Sequence, residues 1–256
     1  MNRTLLTLGI SAVALVSVGI GSAQAQQYYY PPAPTAQPAG CPQRGFLQAG
    51  TAAADAINGS ALSDVILGRA GNDRINGLAA ADCLFGEAGV DRISAADGND
   101  RVLGGAGNDI ITGGIGNDRL IGEAGNDRAA GGSGRDSISG GSGSDKATGG
   151  SGNDTMTGFS GNDRLTGDSG SDRINGGSGR DRLSGGSGND RVIGGRGNDR
   201  LLGGANIDNF SGGSGNDVIS ARDGRRDRVN CGTGRDRVTA DRRDRVSRNC
   251  ERVRRG

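Results

Sequence analysis

GGSGNDRVIGGRGNDRLLGG, residues 185–204, contains two copies of one nine-residue unit. Gly-Asn-Asp returns at the same phase, an Arg follows each Asp, and a large aliphatic residue, Val192 or Leu201, comes one place later. The Asp holds this phase nineteen times without a slip, from Asp55 to Asp217. The residue two places after the Asp is large and apolar in seventeen of those units, from Ile57 and Leu84 to Phe210 and Ile219, and is Ala129 or Ala147 in the other two. A disordered Gly-rich filler has no reason to keep an apolar residue in phase over about 160 residues.

The phase predicts a very short strand of three residues after each Asp, such as Arg-Val-Ile. Its middle residue points inward and its neighbours outward, because side chains alternate along a strand. The glycines permit the tight turn that closes each unit. A unit this small cannot bury one aliphatic residue alone. Stacked units can, by lining these residues up into a thin continuous core.

The composition excludes several classes. The 256 residues include 52 Gly, no His, no Trp, four Phe and three Tyr, and the Tyr are all in one run at Tyr28–Tyr30. A globular core with aromatic anchors is therefore not expected, and the collagen period of three is absent. Residues 1–25 read as a secretory signal peptide, with Arg3, an apolar run from Leu5 to Ile20 and Ala23-Gln24-Ala25 as the cleavage site. No later segment is apolar enough to span a membrane. Residues 26–49 form a Tyr/Pro-rich spacer and lead-in, residues 50–220 the repeats, and residues 221–256 a basic end. The net charge of +1 hides this asymmetry, since the last 36 residues carry thirteen Arg against six acids.

The unit resembles G-G-x-G-x-D-x-U-x, the nonapeptide of RTX (haemolysin-type) calcium-binding repeats. The full GGxGxD ends at Asp109, Asp118, Asp136, Asp145, Asp154, Asp181, Asp190, Asp199 and Asp217. Units ending at Asp73, Asp91, Asp127, Asp163 and Asp172 lack only the second Gly, and Asp100 keeps only the Gly before its Asn. The resemblance implies an all-β, right-handed parallel β-roll with two nonapeptides per coil. Nineteen half-coils would make a rod roughly 40–45 Å long at the usual strand spacing. It also implies that these fifteen Asp bind Ca²⁺ between stacked turns, together with backbone carbonyls freed by the glycines. A hard, geometrically flexible cation suits such oxygens better than Mg²⁺. Asp55, Asp64, Asp82 and Asp208, whose units have lost the Gly nearest the Asp, are expected to be ion-free caps. The Asn before many Asp is expected to make local Asx turns.

The chain departs from the family pattern in three ways. Arg164, Arg182 and Arg200 would form a ladder on one face, and Arg173 and Arg191 on the other. These could contact an anionic cell-surface or matrix polymer, or could be solvated charges that guard strand edges. No specific nucleic acid is expected, because no aromatics lie between the Arg for base stacking. The N-terminal signal points to the general secretory route. After Asp217 the repeats decay, with Val229, Val238 and Val246 still inward, into a cap. Of the three connectivities open to four Cys, proximity favours Cys41 with Cys83 and Cys231 with Cys250.

No triad, metalloprotease motif or phosphate loop is present, so no enzyme is expected. The expected function is a secreted, extracellular calcium-binding protein that takes up several Ca²⁺ ions and folds on meeting them outside the cytoplasm. The alternative is an adhesin or matrix protein that uses its Arg ladders.

Overall fold

Along each unit the chain alternates sides, and the alternation runs further than three residues. In the computed structural model most units form a six-residue strand, such as Arg182–Ser187, that includes both glycines and the residue after them. The structure describes residues 27–28, 41 and 47–256. The signal segment and most of the spacer lie outside the described residues. The strand is longer than the sequence suggests because ladder pairing resumes after the first Gly. Arg182, Leu183 and Ser184 pair with Arg200, Leu201 and Leu202, Gly185 is skipped, and Gly186 and Ser187 pair with Gly204 and Ala205.

Successive strands go alternately to two sheets. Among the described residues one sheet has thirteen strands and the other twelve, each ordered by every second strand of the chain. All pairings are parallel except the first, where Gln27–Tyr28 runs antiparallel to Leu47–Gln48. The protein is thus an all-β parallel solenoid of about 12 turns with no helix among the described residues, as a β-roll requires. Residues 221–256 continue the same two sheets, ending with Arg245–Val246 and Arg252–Arg255. This lengthens the rod to about 55 Å at a spacing near 4.8 Å per coil.

The core is one residue wide. Eighteen of the nineteen phased apolar residues are buried, and only Ala129 is half-exposed. Each large one contributes on the order of 1.5–3 kcal/mol by leaving water. The cystines lie at the two ends. Cys41 is bonded to Cys83 and packs with Val65 outside the first sheet, and Cys231 is bonded to Cys250 within the main core. No described helix is long and apolar enough to cross a membrane.

Candidate metal centre

Asp stands two residues before the aliphatic position, so strand alternation turns both to the same side. All 22 Asp that continue this column, from Asp55 to Asp244, are buried. They form two ladders, one along each edge of the roll. From Asp73 onward, Oδ1 of each Asp accepts the backbone N–H of the Asp one coil earlier. Asp109 donates to Asp127, Asp118 to Asp136, Asp163 to Asp181 and Asp181 to Asp199, each at 2.8 Å. All fifteen Asp expected as ligands, including Asp73, Asp91, Asp100, Asp145, Asp154, Asp172, Asp190 and Asp217, belong to these ladders. The preceding Asn point the other way. Asn99 Oδ1 accepts the N–H of Asn117 one coil later, and Asn108 that of Asn126, both at 2.7 Å. The expected local Asx turns are replaced by these bonds because the neighbouring coil offers a free N–H at better reach.

The second carboxylate oxygen is different. Oδ2 is buried and has no hydrogen-bond partner in eighteen of these Asp. Next to it is the first Gly of the unit. A Cβ on Gly185 would collide with Asp190 Oδ2 and with the carbonyl oxygen of Gly203 one coil on. The bare Cα of that glycine is therefore flanked closely by a carboxylate oxygen and a carbonyl oxygen, and the carboxylate oxygen has no donor. Gly188, at φ 137°, lets the turn approach the carbonyl of Gly170 in the previous coil. Burying a carboxylate without a partner is costly. Desolvation accordingly pushes Asp109, Asp118, Asp136 and Asp163 up to about 6, and Asp82, Asp199 and Asp208 up to about 7. The inter-coil hydrogen bond lowers each value, while the like charge of neighbouring Asp raises it further.

A site of this kind demands a cation or a proton. Its donors are all oxygen, which suits a hard ion such as Ca²⁺. Among the described residues no three His, Cys, Asp or Glu side chains converge on one point. A metal between coils would therefore take its remaining oxygens from backbone carbonyls.

This geometry matches what the sequence comparison finds. Successive overlapping windows between residues 50 and 238 match the RTX calcium-binding nonapeptide repeat, four copies at a time. The chain belongs to this RTX repeat family. RTX repeats bind calcium, and this chain presents their ladder of buried Asp. No curated protein matches the chain.

Within the RTX array, individual units differ in ways the sequence reading does not anticipate. Asp82 and Asp208 have the same buried, unpartnered Oδ2 as their neighbours. The missing glycines do not prevent the turn, because Ala80 and Asn206 adopt φ of 72° and 84° in their place. The neighbouring coils impose that conformation. Asp55 and Asp64 are different. Thr51 donates its N–H and hydroxyl to Asp55 Oδ2 at 2.5 and 2.9 Å, and Ser60 does the same to Asp64 Oδ2 at 2.6 and 3.0 Å. Those two oxygens have local donors.

At Asp100 the first Gly is replaced by Ala95, which is fully buried. Its methyl group stands where the unit of Asp109 has the bare Cα of Gly104. The RTX ladders also run past Asp217. Asp227, Asp236, Asp244 and finally Glu251 accept the N–H of the preceding member at 2.8–3.0 Å. The Asp-Arg-Val of residues 227–229 and 236–238 carried that signal in the sequence despite the phase slip.

Proposed function

We propose that this protein is a secreted calcium-binding β-roll that folds on meeting Ca²⁺ outside the cytoplasm. In this reading residues 1–25 are a removed signal, residues 26–49 a lead-in, and the repeats a non-catalytic structural unit. The supporting observation is the buried Asp Oδ2 without a donor, set against the bare Cα of a glycine and a neighbouring carbonyl oxygen, repeated coil after coil. The ion-holding set is Asp73, Asp82, Asp91 and the Asp at every ninth position from Asp109 to Asp217. Asp55 and Asp64 are ion-free, and Asp100 holds an ion weakly or not at all.

Bound calcium supplies positive charge between carboxylates that otherwise repel one another. The chain contributes the rest. The Asp Oδ1–N–H bonds set the spacing of the coils, the glycines expose carbonyls, and the aliphatic column excludes water. Because the site exists only in the folded chain, binding free energy becomes folding free energy. Two cystines within the chain suit an oxidising compartment.

Far-UV circular dichroism of residues 26–256 tests this. In chelator the spectrum should be largely that of a coil, and Ca²⁺ but not Mg²⁺ should convert it to β-structure. A chain that is fully β-structured in chelator and unmoved by Ca²⁺ would refute the reading.

A further inference from the structure

The charges of this roll are sorted by side. Of 29 acidic residues, 22 are buried Asp, and 27 of the 28 described basic residues are exposed. Alternation causes much of this sorting, since an Arg or Lys directly after an Asp must face outward when the Asp faces inward. A net charge of +1 for the chain therefore gives a misleading picture of its surface, where only seven acids offset the basic residues.

The basic residues are also aligned. Arg128, Lys146, Arg164, Arg182 and Arg200 occupy the same register position on five consecutive coils of one sheet. None of the five has a salt-bridge partner among the described residues. At about 4.8 Å per coil they make a straight cationic line roughly 19 Å long. Such a line is costly in self-repulsion and is relieved by a polyanion that releases its counterions on binding.

We propose that the folded roll binds a linear acidic polysaccharide along this column. The proposal rests on the reading above, in which calcium neutralises the inner Asp and folds the chain, because only the folded chain separates the charges. A polysaccharide fits better than nucleic acid. The column carries no aromatic side chain on which a base could stack. A duplex backbone also winds away from a straight line, whereas an extended sugar chain follows it.

The test uses heparin as probe, in Ca²⁺ at physiological salt, with circular dichroism on the same samples. The triple variant R164S/R182S/R200S removes three charges from the column. Ser137 and Thr155 occupy the equivalent position on the other sheet, so a hydroxyl side chain is compatible with the strand. The triple variant R135S/R180S/R196S removes three exposed charges outside the column. The column variant should weaken heparin binding at least roughly tenfold and flatten its salt dependence, and the other variant should change it far less. Equal losses from the two variants would overturn the column. So would tighter binding of duplex DNA than of heparin, or equal retention of the unfolded chain in chelator. A folded, calcium-loaded wild type that ignores heparin would sink this proposal and leave the calcium reading intact. A chain folded and heparin-bound in chelator would do the reverse.

Discussion

The backbone N–H of Asp181 donates to Oδ1 of Asp199 at 2.8 Å, across one full coil of the roll. The bond fixes the Asp199 carboxylate on the core side and commits only one of its two oxygens. Everything distinctive about the site follows from the other oxygen, which has no donor.

Asp199→Asn should separate the two halves of that role. The amide keeps an oxygen for the Asp181 N–H and places donors where Oδ2 was stranded. In chelator the variant should be more stable than wild type, by about 1–3 kcal/mol, the usual cost of an unsatisfied buried polar group. In calcium it should bind fewer ions and need more Ca²⁺ to reach the folding midpoint. Calcium titrations followed by circular dichroism read both effects, and a variant less stable in chelator would contradict the assignment.

Gly185 and Ala95 are a matched pair. Gly185→Ala should press a methyl group against Asp190 Oδ2 and lower the bound calcium by one ion, with the β-spectrum in excess calcium retained. Ala95→Gly should remove the methyl group beside Asp100 and raise the count by one. Metal analysis after gel filtration gives both stoichiometries. Unchanged counts in both variants would show that the bare glycine Cα plays no part in the site.

Acid should partly substitute for calcium. In the metal-free roll, burial raises Asp109 to about 6 and Asp199 to about 7, above the ordinary value of 3.8. The folded chain then holds protons that the unfolded chain releases, so stability falls as pH rises through the interval between them. In chelator the β-structure should be most stable near pH 4 and lost on approaching pH 7. Calcium should abolish this dependence and release protons as it binds. Circular dichroism against pH, with and without calcium, checks the sign.

The Cys231–Cys250 bond closes a loop at the C-terminal end of the roll, with a separation of 19 residues. Replacing both Cys with Ser should cost about 3 kcal/mol by chain entropy. The loss should appear as faster amide exchange in Arg228–Thr233 and Arg237–Ala240, with Arg182–Ser187 protected as before.

Much of this protein was legible in its sequence. The nine-residue phase fixed the repeat and the column from Ile57 to Ile219, and the family resemblance, with its two repeats per coil, implied the pairing of Asp109 with Asp127, because a solenoid makes neighbours of residues one coil apart whatever their tertiary surroundings. Period-two alternation even placed each Asp on the side of its aliphatic partner, so its burial could have been read from Asp190 and Val192 alone. The tertiary structure decided which oxygens are left over. Thr51 and Ser60 reach the first two Asp, whereas Asp82 and Asp208 keep an open oxygen despite lost glycines, because backbone conformation in a stack is imposed by the coils on either side. It also decided how completely the charges separate. Alternation already turns an Arg that follows an Asp outward, but only the stacked coils bury all 22 Asp of the ladders while 27 of the 28 described basic residues stay exposed.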